Sequence, residues 1–148
     1  VVDCGLLTTK TPTSSVASMG TVRREEHIEC SPTAAWDFMG DPTRLHEWFP
    51  LTDCRVEGKK RWVTTSTGLT FEEDIVLHDH ELRRFQYTIV NNPLVTGHLG
   101  TLDVLDDGHG HTLAVYSTTM KPDVLALVIG GAAGVGLKKA KAILEGAA

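Results

Sequence analysis

At 148 residues, 41% of them hydrophobic and 22% charged, the chain has the size and balance of one globular domain with a real core. The formal charge of -5, with basic residues scattered as Lys59-Lys60-Arg61, Arg83-Arg84 and Lys138-Lys139, argues against the clustered cationic face of a nucleic-acid binder. Cys4, Cys30 and Cys54 are too few, and odd in number, for a disulfide-stapled secreted domain, so a cytoplasmic setting is expected.

The longest apolar stretch, residues 124–137, falls short of the ~20 residues a membrane span requires, so no stable membrane insertion is expected. Residues 1–20 include a Thr/Ser-rich run with no sustained period and no basic start leading into an apolar signal core. They are expected to be a flexible N-terminal extension, with Met19 as the natural start, preceding a domain at 21–146.

Residues 21–30, TVRREEHIEC, alternate as a half-buried strand with Val22, Ile28 and Cys30 on one face. Ser31 then offers an N-cap oxygen, Pro32 occupies the first helical position, and Ala34, Ala35, Trp36, Phe38 and Met39 make a short amphipathic helix. Gly40-Asp41-Pro42 ends it. Thr43 is expected to cap a second short helix reaching Trp48, which Pro50 closes.

Alternating segments follow at 52–57, 61–66, 69–78, 81–90, 96–105 and 112–120, divided by Gly58, Thr67-Gly68, Asp79-His80, Asn91-Asn92-Pro93 and the run Asp106-Asp107-Gly108-His109-Gly110. With the first strand these make about seven antiparallel strands. A final helix opens after Pro122, with Asp123 at its positive end and Lys138, Lys139 and Lys141 toward the other. Gly130, Gly131, Gly134 and Gly136 weaken it by roughly 1 kcal/mol each relative to alanine, which calls for close packing, a kink or space for something else.

The stretch HIECSPTAAWDFMGDPTRLHEWFP at 27–50 resembles the START-like helix-grip (SRPBCC) superfamily, in particular its polyketide cyclase/dehydrase and lipid-transport branch. The resemblance rests on Ser31-Pro32, Ala35-Trp36, Asp41-Pro42 and Trp48, and extends over about residues 21–146. It implies an α+β fold: a curved antiparallel sheet around a long C-terminal helix, with a cavity between them closed by the two short helices. Trp36 would anchor the first of these, and Trp48 and Phe49 would stand nearer the cavity mouth. It also implies a small hydrophobic partner and no cofactor.

If apolar parity marks the concave face, that face carries Arg24, Glu26, Ile28, Phe71, Glu73, Ile75, Phe85, Tyr87, Ile89, Ala114, Tyr116 and Thr118. Aromatic walls with a few polar groups suit a largely apolar ligand, with Glu26, Trp48, Phe71, Glu73, Tyr87 and Tyr116 as candidate contacts. Glu73, between Phe71 and Ile75, would be desolvated and its pKa raised, as a general acid or base near neutral pH requires. The structural alternatives are a solvated glutamate following a misjudged parity or a bulge, and an internal ion pair with Arg24 or another strand's arginine.

His98 is the second candidate catalytic residue, if it faces the cavity. His78-Asp79-His80 and His109-Gly110-His111 have ligand-like spacing but fall at turns, and no metal site is expected. The glycine-rich 130–136 lacks the Lys-Ser/Thr ending of a phosphate loop. Three functions stay open: a binder of an apolar or aromatic ligand such as a lipid, polyketide or related metabolite; a cyclase or dehydratase using pocket acid/base residues; and a protein-interaction module.

Overall fold

The computed structural model describes residues 17–146. Seven strands, β1 (Gly20–Ile28), β2 (Leu51–Glu57), β3 (Lys60–Thr65), β4 (Thr70–Asp79), β5 (Arg84–Val90), β6 (Thr96–Asp106) and β7 (Thr112–Lys121), form one antiparallel sheet in the order β1-β7-β6-β5-β4-β3-β2. Six strands thus follow one another as a meander, and β1 closes onto β7 from the far end of the chain, with Gly20 opposite Met120 and Ile28 opposite Thr112. Helix α1 (Pro32–Met39), a 3-10 turn (Pro42–Arg44) and helix α2 (Leu45–Trp48) connect β1 to β2, and helix α3 (Asp123–Leu144) ends the domain.

Of the expected extension, residues 1–16 lie outside the described residues. The last residues before β1 are tied down: the Ser18 carbonyl accepts from Asp123 N at 3.0 Å, and its hydroxyl donates to Asp123 Oδ2 at 2.5 Å. Asp123 therefore orders the start of β1 while sitting at the positive end of α3.

Ser31 caps α1 as its sequence predicts, accepting from Ala34 N at 3.2 Å with Pro32 behind it. The second cap differs from expectation. Asp41, rather than Thr43, is the cap, accepting from Thr43 N at 2.9 Å and from the Thr43 hydroxyl at 2.6 Å, because the chain enters α2 through a 3-10 turn that starts two residues earlier, at Pro42. The fifth strand also begins later than expected, at Arg84. Asp79 Oδ1 accepts from the backbone N–H groups of Glu81 and Leu82, and Arg83 at φ 51° closes the turn, so residues 81–83 are held in the turn rather than in the strand.

Helix α3 lies across β1 and β7 and explains two of its four glycines. A Cβ on Gly130 would stand 2.3 Å from Val22 Cγ1, and one on Gly136 would stand 3.1 Å from the Phe49 ring and 3.3 Å from Trp48. Close approach at these points brings the helix onto β1 and onto the end of α2. Gly131 is exposed and a Cβ there would meet nothing within 4 Å. Because the helix is drawn toward the β1 side, the opposite half of the concave face, β3 to β5, is left without full cover.

No helix among the described residues is long and apolar enough to cross a membrane. The two contrasting glycines make the packing argument testable by urea unfolding. Gly130→Ala should destabilise the fold by about 1–3 kcal/mol through overpacking against Val22, whereas Gly131→Ala should stabilise it by about 0.5–1 kcal/mol through helix propensity.

Candidate ligand site

The uncovered half of the sheet forms a cavity of about 280 Å³ between β3–β5, β7 and the first half of α3. Val63, Phe71, Tyr87, Ile89 and Tyr116 come from the sheet, Val128, Ile129 and Ala132 from α3, and Leu45 and Phe49 from α2 and its end. Leu69 at 61% and Val128 at 65% exposure mark the mouth, between the β3–β4 turn and α3. The wall is almost wholly carbon.

Its polar end is built by cross-strand register. Arg61 of β3 is directly opposite Glu73 of β4, and the Arg61 Nε donates to Glu73 Oε2 at 2.6 Å with both residues buried. The guanidinium also lies 4.9 Å from the Phe85 ring centroid and 4.7 Å from that of Tyr87, so its faces meet π-electrons rather than water. Beside it the hydroxyls of Tyr87 and Tyr116 hydrogen-bond to each other. Burial pushes the Glu73 carboxyl above its ordinary value, opposed by Arg61, and burial likewise raises both tyrosines.

Tyr87 can lie flat in this position because Gly100 is opposite it on β6. A Cβ on Gly100 would stand 2.4 Å from the tyrosine ring. On the other side of the cavity Phe49 stacks at 5.7 Å from Tyr116, completing an aromatic wall.

Phe71, Glu73, Tyr87 and Tyr116, four of the residues singled out from sequence, therefore line one cavity. The remaining candidate contact and catalytic residues, Glu26, Trp48 and His98, do not reach it. Trp48 is 1% exposed and lies behind Phe49, edge-on at 5.8 Å, so it supports the wall where it was expected near the mouth. Its Nε1 is buried without a hydrogen-bond partner among the described residues. Glu26 does lie on the inward parity of β1, but α3 covers that strand and the carboxylate is part of the electrostatic environment of Lys141.

His98 is inward-facing and 4% exposed, yet it is behind the Tyr87 ring at 5.1 Å and outside the cavity wall. The ladder between β5 and β6 extends no further than Tyr87–Gly100, and β6 is irregular between Thr96 and Leu99, where Gly97 has φ 61°. The His98 side chain repairs this gap: Nδ1 accepts from Ile89 N at 3.0 Å, and Nε2, which then carries the proton, is 3.2 Å from the Thr118 hydroxyl. Both ring nitrogens are engaged, and no imidazole or thiol lines the cavity among the described residues.

Arg61 was not singled out from sequence, where it reads as the end of a short basic run. The alternation Arg61-Val63-Thr65 places it inside. His78 was likewise assigned to a turn, but β4 is irregular between Ile75 and Leu77, and past that point His78 is paired with Phe85 on the inner face. There it packs against Trp36, whose Nε1 donates to His80 Nδ1 at 3.0 Å, while Trp36 anchors α1 over Gly40. Cys30 and Cys54 are partly buried, and burial raises both thiols; Cys54 Sγ donates to the Pro42 carbonyl.

A curved antiparallel sheet around a long C-terminal helix, with two short helices after the first strand, is the helix-grip fold of the START-like superfamily. The chain belongs to the polyketide cyclase/dehydrase and lipid transport family, whose model matches residues 19–146. Comparison with curated proteins finds no sequence match.

Among solved structures, the protein XoxI from Bacillus cereus is similar at a TM-score of 0.79 and 24% identity, over 84% of this chain and 95% of that one. An uncharacterised Bacillus thuringiensis protein follows at 0.75 and 25%, over 86% and 98%. Norcoclaurine synthase from Thalictrum flavum, in complex with dopamine and hydroxybenzaldehyde, superposes at 0.66 with 17% identity, over 97% and 98%. At that identity the likeness is one of fold.

The His98 geometry has a pH signature. Burial lowers its pKa from 6.5 to about 4, so the unfolded chain takes up a proton that the folded one refuses. Stability present above pH 6.5 is then lost as pH falls toward 4, by up to about 3 kcal/mol. Urea unfolding of the wild type and His98→Asn between pH 4 and 7 should show a shallower decline in the variant, and an imidazole NMR titration should put His98 near 4.

Proposed function

We propose that this protein binds a small, predominantly apolar or aromatic molecule, such as a lipid, polyketide or related metabolite, in the cavity between its sheet and α3. The observation that carries the reading is a largely carbon-lined hollow of about 280 Å³ with Glu73 and the Tyr87–Tyr116 hydroxyl pair at its inner end and Thr65 and Thr67 beside Leu69 at the mouth. That volume is just below the ~300–1,000 Å³ of typical small-molecule sites, which suits a ligand of one or two rings. Phe71 and Phe49 would contact its apolar body, and the two tyrosines would orient an oxygen. Family membership supports the same direction.

Catalysis is a second reading, favoured by the state of Glu73. A carboxyl held above its ordinary pKa on a carbon wall can exchange a proton with a bound ligand, as a cyclase or dehydratase requires, with Arg61 positioning it and the tyrosines polarising a carbonyl. In this reading His98 maintains the sheet beneath Tyr87 and takes no proton from the ligand. Binding alone tolerates Tyr116→Phe with a modest loss of affinity; catalysis loses turnover on the same change while the ligand stays bound.

Filling the cavity tests the common premise. A naphthalene-type fluorescent probe should bind the wild type saturably at one site. Ala132→Trp, which projects into the hollow, should weaken binding by about tenfold or more, while Val135→Trp on the exposed side of α3 should leave it unchanged. Equal binding by both variants, with far-UV circular dichroism intact, would place the probe elsewhere and remove the cavity reading.

A further inference from the structure

The connection between β6 and β7 is longer than a tight hairpin needs. The ladder closes at Asp106–Thr112, and the five residues between them, Asp107-Gly108-His109-Gly110-His111, turn through positive φ at both glycines, 85° and 84°. Asp107 organises this loop. Its Oδ1 accepts from His109 N at 2.8 Å and from His111 N at 3.0 Å, which commits one carboxylate oxygen to the backbone and fixes the direction of the other.

That second oxygen, Oδ2, faces the edge strand. His27 Nε2 of β1 lies 2.8 Å from it, and the His111 ring stands edge-on to His27 with centroids 5.9 Å apart. The backbone of His27 is itself held on two sides, by its pairing with Leu113 and by Lys141 Nζ, which donates to the His27 carbonyl at 2.5 Å. One donor atom from each of His27, Asp107 and His111 lies within 4.8 Å of the other two.

Two imidazoles and a carboxylate are a donor set for zinc-like divalent ions, whereas calcium and magnesium favour oxygen alone. Tetrahedral zinc bonds of about 2.0–2.2 Å separate ligand atoms by roughly 3.3 Å. Both histidines are exposed, so small rotations of their side chains reach that spacing from the one observed, with Asp107 opening slightly from its hydrogen bond to His27. The other oxygen of Asp107, Oδ1, bound to two backbone N–H groups, supplies the outer support that orients a metal-ligating carboxylate.

We propose that His27, Asp107 and His111 form a zinc-binding site, completed by solvent, that clips the edge strand β1 to the β6–β7 loop. It is at the far end of the domain from the cavity mouth, near the C-terminal turn of α3, where Lys141 reaches the His27 carbonyl of β1 and Glu145 accepts from Glu29 N just past it. Zinc there stabilises the closure of β1 on the sheet and takes no part in the cavity. The His109-Gly110-His111 spacing contains one of the three ligands, His111, since His109 takes no part and His27 comes from another strand.

The test is calorimetric titration of the full, tag-free chain with zinc chloride. The wild type should bind one zinc ion and melt at a higher temperature in its presence. His27→Gln, Asp107→Asn and His111→Gln should each weaken binding by about tenfold or more, since even outer-shell losses cost 10–100-fold. The double variant His78→Gln/His80→Gln, which removes a second close histidine pair, with ring centroids at 4.4 Å, should bind as the wild type does.

A parallel NMR titration of the wild type needs no variant to fold: zinc should shift the ring resonances of His27 and His111. Absence of binding would overturn the proposal, as would binding that survives loss of His27 and His111, or that shifts only His78 and His80.

Discussion

The buried pair between Arg61 and Glu73 is the constraint around which the rest of the concave face is arranged. Two opposite charges removed from water lose several kcal/mol of solvation each, and their mutual attraction repays this only when geometry is good and other polar partners are at hand. Here the pair is set by the β3–β4 ladder itself, since the two residues are directly opposite one another, and the guanidinium is covered by the rings of Phe85 and Tyr87. Such a pair contributes little net stability over an apolar substitute. What it contributes is a fixed polar end to an otherwise apolar hollow.

The hollow in turn depends on where small residues stand. Gly100 lets Tyr87 fold down against β6 and bring its hydroxyl to Tyr116, while Gly130 and Gly136 draw α3 onto β1 and the end of α2. A helix pulled to one side of a curved sheet leaves a gap over the other side, and this gap is the cavity. Residues remote from the wall then act as supports, Trp48 by packing behind Phe49 and His98 by engaging both ring nitrogens beneath Tyr87.

The fold was legible because its signals are local. Period-two alternation, Gly and Asp at the turns, Ser31-Pro32 at a helix start and a resemblance spread over most of the chain together point to seven strands and a long helix. The site was legible only where parity survives. Phe71, Glu73, Tyr87 and Tyr116 lie on regular stretches and converge as alternation predicts. His78 escaped because an irregularity after Ile75 reverses the faces of β4, and Arg61 because a basic run masks its alternation with Val63. Trp48 and Phe49, both expected near the mouth, part at the end of α2, where adjacent residues point in different directions and neither composition nor period tells which meets the cavity.

Specific recognition of an apolar ligand at the Glu73–Tyr87–Tyr116 end of the cavity is the central claim, and native mass spectrometry of the protein purified without added ligand tests it most directly. The account predicts a reproducible adduct near one per chain, released on denaturation as an apolar or aromatic molecule bearing an oxygen. A bare mass, joined by failure of a broad panel of hydrophobic compounds to give saturable binding, would contradict it and leave the domain as a surface for protein partners.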